Sequence, residues 1–437
     1  MTAPPGPDSH QPNARLTELF IASLKIGCLS FGGPAAQIAM MHRVFVDEKK
    51  WIDEPRYLHA LNYCMLLPGP EAQQLATYVG WLLHGVKGGL IAGALFVVPG
   101  ALVVLALSWL YLAHGSAPVV EAAFFGVRAA VVAFVIEALI RISKRALKRR
   151  ADLWIAVASF AALTLFAVPF PVIIIAAALV GAFILQRSAP AILPVAAVAP
   201  PSTVKALQAA AVWAFAWLAP LGATVAALGP DHVVSRVGIL FAKLAVVTFG
   251  GAYAVLSYLR QQAVEVEGWI SPAQMIDGLG LAETTPGPLV LVNQFVGYVA
   301  GWQADGGGLV VALLAAAMAS WMTFAPSFLW IFAGAPYAER VRQNAKASAA
   351  LAAITAAVLG VIANLAFWFA VHVLFRETST VTLLWGARID LPQLESFDAI
   401  ALAISAATAI ALIRFHMNAI VVVVAAGLAG IALKSLG

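Results

Sequence analysis

The sequence predicts an all-α membrane protein, a polytopic bundle of transmembrane helices built from two homologous halves. The composition, the spacing of apolar segments and an internal repeat predict it. Of the 437 residues, 62% are hydrophobic and only 11% are charged, whereas soluble domains are roughly 45–50% apolar and about 25% charged. The mean hydropathy of +0.91 agrees. Because a soluble fold of this length needs far more charged surface, the composition excludes an ordinary cytosolic enzyme, a nucleic-acid-binding protein and a disordered scaffold.

The apolar segments are long enough to cross a lipid bilayer. A spanning helix needs about 20 mostly apolar residues, and prolines or polar residues separate the segments from one another. The candidate segments lie near residues 16–41, 57–85, 88–114, 119–142, 153–168, 171–186, 207–229, 233–259, 272–302, 308–335, 348–375, 397–413 and 416–433. Residues 1–15 are polar and Pro-rich, so we expect a flexible tail there.

Short motifs recur in order through the chain, which indicates a duplicated gene. Pro68-Gly69-Pro70 recurs as Pro286-Gly287-Pro288, offset by 218 residues. Four other pairs keep this offset: Phe31-Gly32-Gly33 with Phe249-Gly250-Gly251, Trp51-Ile52 with Trp269-Ile270, Lys25 with Lys243, and Ser30 with Thr248. We therefore predict a first repeat over 16–186, a linker with a connecting transmembrane helix over 187–229, and a second repeat over 230–437.

The relative orientation of the two halves stays open at this stage. If all thirteen segments cross the membrane, the repeats are inverted. If both Pro-Gly-Pro segments are re-entrant, eleven segments cross and the repeats are parallel. The basic loops, which favour the cytoplasmic side, do not separate these arrangements. We expect the inverted form, because it provides a symmetric route to alternating access.

The two Pro-Gly-Pro motifs predict discontinuous helices in the bundle interior. Proline lacks an N–H group and its ring clashes with the preceding helical turn. Backbone groups freed in this way must be buried in protein or line a water-filled cavity. A half-helix that starts after the break also directs N–H groups towards it, which suits an anion. A purely structural proline kink is the simpler alternative, but matched breaks in both halves favour a transport site.

The two Gly-Gly pairs, Gly32-Gly33 and Gly250-Gly251, predict a second break in each half. Glycine allows close approach of the backbone to a ligand or to a neighbouring helix, so helix packing is the alternative interpretation. Gln37 and Tyr253 follow these pairs and are expected to line the same cavity.

Charged residues inside the apolar segments are few and costly, by about 2.5–3.5 kcal/mol each on insertion scales. We expect Lys25, Lys243 and Arg128 to neutralise an anion. Glu71 or Glu137 then handles a proton or acts as a gate. The alternatives are lysine side chains that reach the headgroup region and a structural ion pair between Arg128 and Glu137.

Neutral polar residues near the Pro-Gly-Pro motifs complete the predicted binding and translocation site. An oxyanion that has lost its water needs many hydrogen-bond donors. The site as a whole comprises Lys25, Gly32, Gly33, Gln37, Pro68, Gly69, Pro70, Glu71, Gln73, Gln74, Thr77, Arg128, Glu137, Lys243, Gly250, Gly251, Tyr253, Thr284, Thr285, Gly287, Asn293 and Gln294. No metal-ligand spacing is present and no nucleophile–base or paired-carboxylate cluster stands out, so we expect no metal, no cofactor and no enzymatic activity. No ATP-binding motif is present either, so a primary pump would need a partner.

These motifs resemble those of the chromate transporter family in its long, two-domain form. The similar stretches are Phe31-Gly32-Gly33-Pro34-Ala35-Ala36-Gln37, Leu67-Pro68-Gly69-Pro70-Glu71-Ala72-Gln73-Gln74, Thr248-Phe249-Gly250-Gly251-Ala252-Tyr253 and Thr285-Pro286-Gly287-Pro288. The resemblance covers nearly the whole chain after residue 15, and the region after residue 376 matches less tightly. It implies that Gln37, Glu71, Gln73, Gln74 and Tyr253 are signature residues.

The resemblance further implies an inner-membrane protein that exports chromate and confers chromate resistance. A sulfate or other oxyanion importer or exchanger of the same fold is the alternative. The expected partners are a small oxyanion and the lipid bilayer, with no nucleic acid. The sequence leaves open the coupling ion and whether the protein forms a homodimer.

Overall fold

A computed structural model describes residues 14–115, 117–185, 203–249, 251–335, 345–382 and 388–435. Within these ranges most of the chain is helical, and the β-structure is confined to one two-stranded hairpin and one isolated bridge, which confirms the predicted all-α bundle. Most of the predicted flexible tail, most of the linker before the connecting helix, and Gly250 lie outside the described residues.

The helices group into two compact units, and each unit contains segments from both predicted halves. The first unit consists of Met1–Ala106, Ser188–Ala252 and Thr285–Ala345. The second consists of Leu107–Arg187, Tyr253–Thr284 and Lys346–Gly437. The compact units therefore differ from the repeats seen in the sequence.

The elements are numbered in chain order. The helices up to the middle of the chain are α1 Leu16–Leu29, α2 Gly33–His42, α3 Glu54–Cys64, α4 Glu71–His114, α5 Pro118–Ala146, α6 Arg150–Phe166, α7 Phe170–Leu179 and α8 Thr203–Leu228. The remaining helices are α9 Val233–Val247, α10 Ala252–Arg260, α11 Pro272–Thr284, α12 Val292–Gln303, α13 Leu309–Gly334, α14 Ala345–Leu374, α15 Ala399–Ile413 and α16 Ala419–Ser435. The hairpin pairs β1 Thr378–Thr382 with β2 Arg388–Pro392 in antiparallel register.

Five of the described helices are long and apolar enough to cross a membrane: Glu71–His114, Pro118–Ala146, Ala206–Leu228, Leu309–Gly334 and Ala345–Leu374. Shorter apolar helices run over Phe170–Ile184, Ala399–Ile413 and Ala419–Lys434. The apolar segments predicted at 16–41, 57–85, 233–259 and 272–302 are not continuous helices, because each is broken at a Gly-Gly or Pro-Gly-Pro position. The predicted discontinuity at both Pro-Gly-Pro motifs is confirmed.

Helix α4 is also interrupted, at His84 and Gly85, where the backbone leaves the helical region. The part before this kink folds back on the part after it. A Cβ atom on Gly80 would lie 2.4 Å from the carbonyl oxygen of Gly88, so only glycine permits this contact. The segment from Glu71 to His84 has 14 residues, which gives about 21 Å of helix, too short to cross a core of about 30 Å. It is a half-helix.

Prolines inside two helices of the first unit free carbonyl groups, and tryptophans on the opposite helix satisfy them. Pro220 in α8 leaves the carbonyl of Ala216 without its helical donor, and the indole of Trp321 donates to it at 3.2 Å. Pro326 in α13 likewise frees the carbonyl of Met322, which accepts from the indole of Trp217 at 3.3 Å. The missing N–H of a proline is thus replaced from outside the helix.

The repeat persists as a pair of matched π-helical turns. Helix α2 continues into a π-helix at Arg43–Glu48, and α10 continues into another at Gln261–Val266, again 218 residues later. After each turn the backbone N–H of a tryptophan donates to a backbone carbonyl of the turn. Trp51 donates to Phe45 at 2.8 Å, and Trp269 donates to Ala263 at 2.9 Å. The duplicated sequence therefore keeps a local backbone distortion as well as its motifs.

The core of the second unit forms where α5 packs against α15 and α16. Small residues allow the close approach: a Cβ atom on Gly126 would lie 1.9 Å from the carbonyl oxygen of Ala426. The Ser405 hydroxyl donates to the carbonyl of Ala129 at 2.8 Å and fixes the register of α15 on α5. Interfaces of this type, with small residues and an interhelical hydrogen bond, are typical of membrane helices.

Candidate translocation site

Each Pro-Gly-Pro break forms a backbone hydrogen bond with the segment at the Gly-Gly break of the opposite half. The Gly69 N–H donates to the Thr248 carbonyl at 2.9 Å, and the Gly287 N–H donates to the Ser30 carbonyl at 2.9 Å. We call the contact of Pro68–Pro70 with Thr248–Gly251 the first junction, and the contact of Pro286–Pro288 with Ser30–Gly33 the second junction. Both belong to the first unit. The repeats therefore exchange one backbone hydrogen bond in each direction.

Both junctions depend on glycine. Gly69 and Gly287, the central residues of the two Pro-Gly-Pro motifs, have φ values of 104° and 90°. Only glycine adopts such backbone conformations readily. Gly32 and Gly33 have φ values of 84° and 75°, and Gly251 has 94°. Gly32, Gly33 and Gly251 therefore lie in turns between helices.

Glutamine side chains satisfy carbonyl groups exposed at the breaks. Gln37 in α2 is 1% exposed, and its Nε2 donates to the Gly287 carbonyl at 2.6 Å. Gln74 at the start of α4 is fully buried, and its Nε2 donates to the Pro68 carbonyl at 2.7 Å. These residues hold the two Pro-Gly-Pro turns in place.

The other predicted neutral residues bind the helices that flank the junctions. Gln73 donates to the Phe324 carbonyl at 3.3 Å, and Gln294 donates to the Ala101 carbonyl at 2.8 Å. The remaining contacts join Asn293 to the Thr323 hydroxyl at 3.0 Å and the Thr77 hydroxyl to the Gln73 carbonyl at 2.8 Å. Gln73 and Gln294 thus tie the half-helices that follow the breaks to the helices that carry Pro326 and Pro99.

The structure changes the role expected of these amides. We predicted that they offer donors to an oxyanion, but their NH₂ groups already donate to carbonyl and hydroxyl groups of the protein. In four of these amides, Gln37, Gln73, Gln74 and Asn293, the side-chain carbonyl oxygen is the atom that stays buried without a partner among the described residues. Because the helix breaks free many backbone carbonyls, the amide donors are used within the protein.

Glu71 lies at the first junction. It is the first residue of α4, directly after Pro70. A Cβ atom on Gly251 would lie 3.8 Å from Glu71 Oε1, so the carboxylate faces the Gly-Gly turn of the other half. A carboxylate at a helix N-terminus is electrostatically favourable. The first junction therefore carries its own anionic group, whereas Leu289 follows the break in the second.

The structure does not bring the two repeat-related lysines to the junctions. Lys25 and Lys243 are exposed, and Lys25 shares its surface with Ile21, which is 66% exposed. In a membrane such a surface faces lipid, which favours the snorkelling alternative over binding of an anion.

Arg128 forms an ion pair in the second unit, but with a partner that we did not predict. Its guanidinium donates to both carboxylate oxygens of Asp277, at 2.7 and 2.8 Å, and the Tyr111 hydroxyl donates to the same carboxylate at 2.8 Å. Glu137, the partner considered from the sequence, instead pairs with Arg141 one turn away at 3.2 Å. The two residues of α5 thus belong to separate pairs.

Tyr253 also lies in the second unit, where its hydroxyl donates to Glu283 Oε1 at 2.6 Å. Glu283 is 5% exposed. The neighbouring Thr284 hydroxyl donates back to the carbonyls of its own helix, and Thr285 is buried. The threonines before the second break therefore belong to the ending of α11.

Sequence reasoning missed Asp277, Glu283 and Arg260, all buried charged residues of the second unit. The signal was present for two of them, because Asp277 and Glu283 stand inside the apolar segment 272–302, where an ionisable residue indicates function. Among the described residues, no cluster of three or more His, Cys, Asp or Glu side chains forms a metal-binding group.

Long apolar helices with matched internal breaks define a multi-pass helical membrane protein. Comparisons with known proteins name its family. The model of the chromate transporter family matches residues 17–182 and 235–431, which together make up most of the chain. The chain belongs to the chromate transporter family.

Several curated relatives carry related names. The chromate transport protein of Pseudomonas aeruginosa is 33% identical over 426 residues, which cover 94% of this chain and 91% of that protein. The chromate transport protein of Cupriavidus metallidurans is 31% identical over 80% of this chain and 82% of that protein. The probable chromate transport protein of Synechococcus elongatus is 30% identical over 83% of this chain and 85% of that protein. No solved structure matches the chain.

Proposed function

We propose that this protein exports chromate across the cytoplasmic (inner) membrane by alternating access around the two junctions, and so confers chromate resistance. The observation that carries the proposal is the reciprocal hydrogen bonding of the two breaks, Gly69 to Thr248 and Gly287 to Ser30. Family membership and the names of the relatives support chromate as the substrate and transport, without enzymatic turnover, as the activity.

The junctions suit a dianion because they offer dipoles without a fixed buried cation. By helix geometry the first N–H groups of α4 lack intrahelical partners and carry a partial positive charge. Such a site binds an oxyanion weakly enough to release it, which transport requires. Glu71 at the start of α4 acts as the gate. Its carboxylate occupies the helix end to which an anion would bind, so it must move aside before the anion can bind there.

The membrane potential favours export of a dianion. One charge that moves through 100 mV is worth about 2.3 kcal/mol, so chromate leaving a negative interior gains about twice that. Because each junction combines one segment from each half, a movement of one repeat against the other changes both junctions together. This arrangement supports alternate exposure of one site to the two sides.

The test measures chromate uptake into everted membrane vesicles that contain the protein. We expect uptake driven by membrane potential, and we expect Glu71→Gln and Gln74→Leu to reduce it at least tenfold. Gln393→Leu is the matched control, because Gln393 is exposed in a loop outside the junctions. Equal uptake by protein-containing and empty vesicles would contradict the proposal.

Sulfate competition distinguishes the second candidate function, a sulfate or other oxyanion importer or exchanger. Backbone dipoles at the helix ends respond to the shape and charge of a tetrahedral dianion and distinguish its central atom poorly. If sulfate abolishes chromate uptake at equal concentration and is itself transported faster, the sulfate transporter is the better description.

The inverted arrangement has its own test. Single cysteines replace Lys87, after the kink in α4, and Asp305, between α12 and α13, both of which are exposed. In inverted repeats an impermeant thiol reagent labels the two positions from opposite sides of the membrane. Labelling of both from the same side would establish parallel repeats.

A further inference from the structure

Glu283 is a buried carboxyl group close in sequence to the second junction. It lies in the last turn of α11 and precedes Pro286 by three residues, so at most about 11 Å of chain separates the two. The side chain is 5% exposed, and the Tyr253 hydroxyl at the start of α10 donates to it at 2.6 Å.

Among the described residues, no cation forms an ion pair with Glu283. Besides Tyr253, the titratable groups that interact with it are Arg141 and Glu137, both on α5, which packs against α11. Arg141 pairs with Glu137 at 3.2 Å.

The charged groups on the other helices that contact α11 are engaged elsewhere. Helix α10, which carries Tyr253, ends at Arg260, and the Arg260 guanidinium pairs with Glu265. Helix α16 also packs on α11, and its single charged residue, Lys434, lies over the Phe125 ring at 4.9 Å. Helix α4 contacts α11 through Tyr111, whose hydroxyl donates to Asp277.

A second buried carboxyl on the same helix provides the contrast. Asp277 holds a two-point ion pair with Arg128 and a hydrogen bond from Tyr111. Glu283 has no such ion pair with any described residue, and it stands at the C-terminal end of α11, where the helix dipole disfavours negative charge. An isolated carboxylate is expensive to bury, and such a group takes up a proton instead.

We propose that Glu283 is the proton-binding group that couples an inward proton movement to outward movement of the oxyanion. In each cycle the carboxylate binds one proton from the external side and releases it to the cytoplasm, with Tyr253 as the donor that stabilises the deprotonated form. The inference rests on the proposed transport function and adds its coupling ion.

The experiment uses the purified full-length protein in liposomes with a pH-sensitive dye inside, at zero membrane potential. Chromate flux is driven by an imposed pH gradient of two units. We expect Glu283→Gln to lose at least tenfold of the gradient-driven flux and the accompanying dye signal. In a second arm, with an imposed membrane potential and no pH gradient, we expect its chromate flux to persist. Glu395→Gln, the same chemical change at an exposed position, retains both.

Tyr253→Phe tests the pair without removal of the carboxyl group. Loss of a hydrogen bond to the charged form shifts the pH midpoint of transport upward by about one unit. If gradient-driven flux and dye signal in Glu283→Gln equal the wild type, or if the Tyr253→Phe midpoint does not move, the proposal is wrong. Absence of chromate flux in the wild-type protein under potential would instead refute the transport function itself.

Discussion

The two compact units bury different kinds of polar side chains. In the first unit the buried polar residues within the described ranges are all neutral serine, threonine, asparagine and glutamine. The second unit holds every buried charged residue of the described chain: Asp152, Arg260, Asp277, Glu283 and Asp398. In the first unit, neutral side chains hydrogen-bond the carbonyl groups that the helix breaks leave free. In the second unit, charged side chains are buried. The contrast fits the two tasks that we propose for them, passage of an anion in the first unit and handling of a proton in the second.

The largest expected effect breaks the Arg128–Asp277 pair. Arg128→Met leaves the Asp277 carboxylate buried without its cation, and we expect a loss of about 3–5 kcal/mol in stability. Thermal unfolding in detergent measures this loss. The double variant Arg128→Met with Asp277→Leu should recover most of the stability, because it removes both charges.

The control for this prediction is Arg141→Met on the same helix. Arg141 and Glu137 are about one-third exposed and four residues apart, and pairs of this type contribute only about 0.3–0.5 kcal/mol. Equal destabilisation by Arg128→Met and Arg141→Met would contradict the view that the second unit depends on buried charge.

The next effect concerns backbone packing at the second junction. A Cβ atom on Gly100 would lie 2.1 Å from the Pro286 carbonyl oxygen, so Gly100→Ala forces the break away from α4. We expect a loss of about 1–3 kcal/mol together with loss of chromate transport in vesicles. Gly222→Ala in α8 meets no atom within 4 Å and should leave transport unchanged.

A smaller effect tests whether the neutral amides act as structural donors. Gln37→Leu leaves the Gly287 carbonyl without its side-chain donor, and we expect a loss of about 1–2 kcal/mol. Melting temperature and transport are both measured. Gln37→Glu should be worse for transport than for stability, because it places a negative charge at the second junction, which we propose an anion passes. Wild-type transport by Gln37→Glu would contradict the need for a neutral side chain at the second junction.

The smallest effect concerns Asp398, the N-cap of α15, which precedes the apolar helix Ala399–Ile413. Burial by itself would raise the pKa of the Asp398 carboxyl. The N–H groups of Ala401 and Ile400 and the guanidinium of Arg376 outweigh burial, so its pKa lies below the ordinary value of 3.8. The stabilisation is therefore complete above that value and is lost as the pH falls through the lower folded-state pKa.

Asp398→Ala should cost about 1 kcal/mol, as is usual for a helix cap. Its melting temperature should approach that of the wild type as the pH falls below 3.8. A constant difference between the two proteins down to the lowest measurable pH would show that the charge of Asp398 does not contribute.

The sequence was sufficient to predict the helical class, the breaks and the duplication, because each leaves a local signal in residue type and spacing. It did not predict that each break closes on the other half. The Gly69–Thr248 and Gly287–Ser30 hydrogen bonds join backbone atoms, so the residue types at these positions do not indicate the pairing. Arg128 was misleading for a related reason: the candidate partner Glu137 was close along the helix, while the actual partner Asp277 is 149 residues away.

The hydrogen bonds between the two halves determine when, during synthesis of the chain, each helix break can be completed. Ser30 and Gln37 enter the membrane early, yet their partner Gly287 is synthesised some 250 residues later. Gly69 likewise waits for Thr248. Until then Gln37 reaches only the Ser30 carbonyl, at 3.5 Å, and the Gly69 N–H lacks its carbonyl partner. Neither break of the first half is therefore complete before the second half has been made.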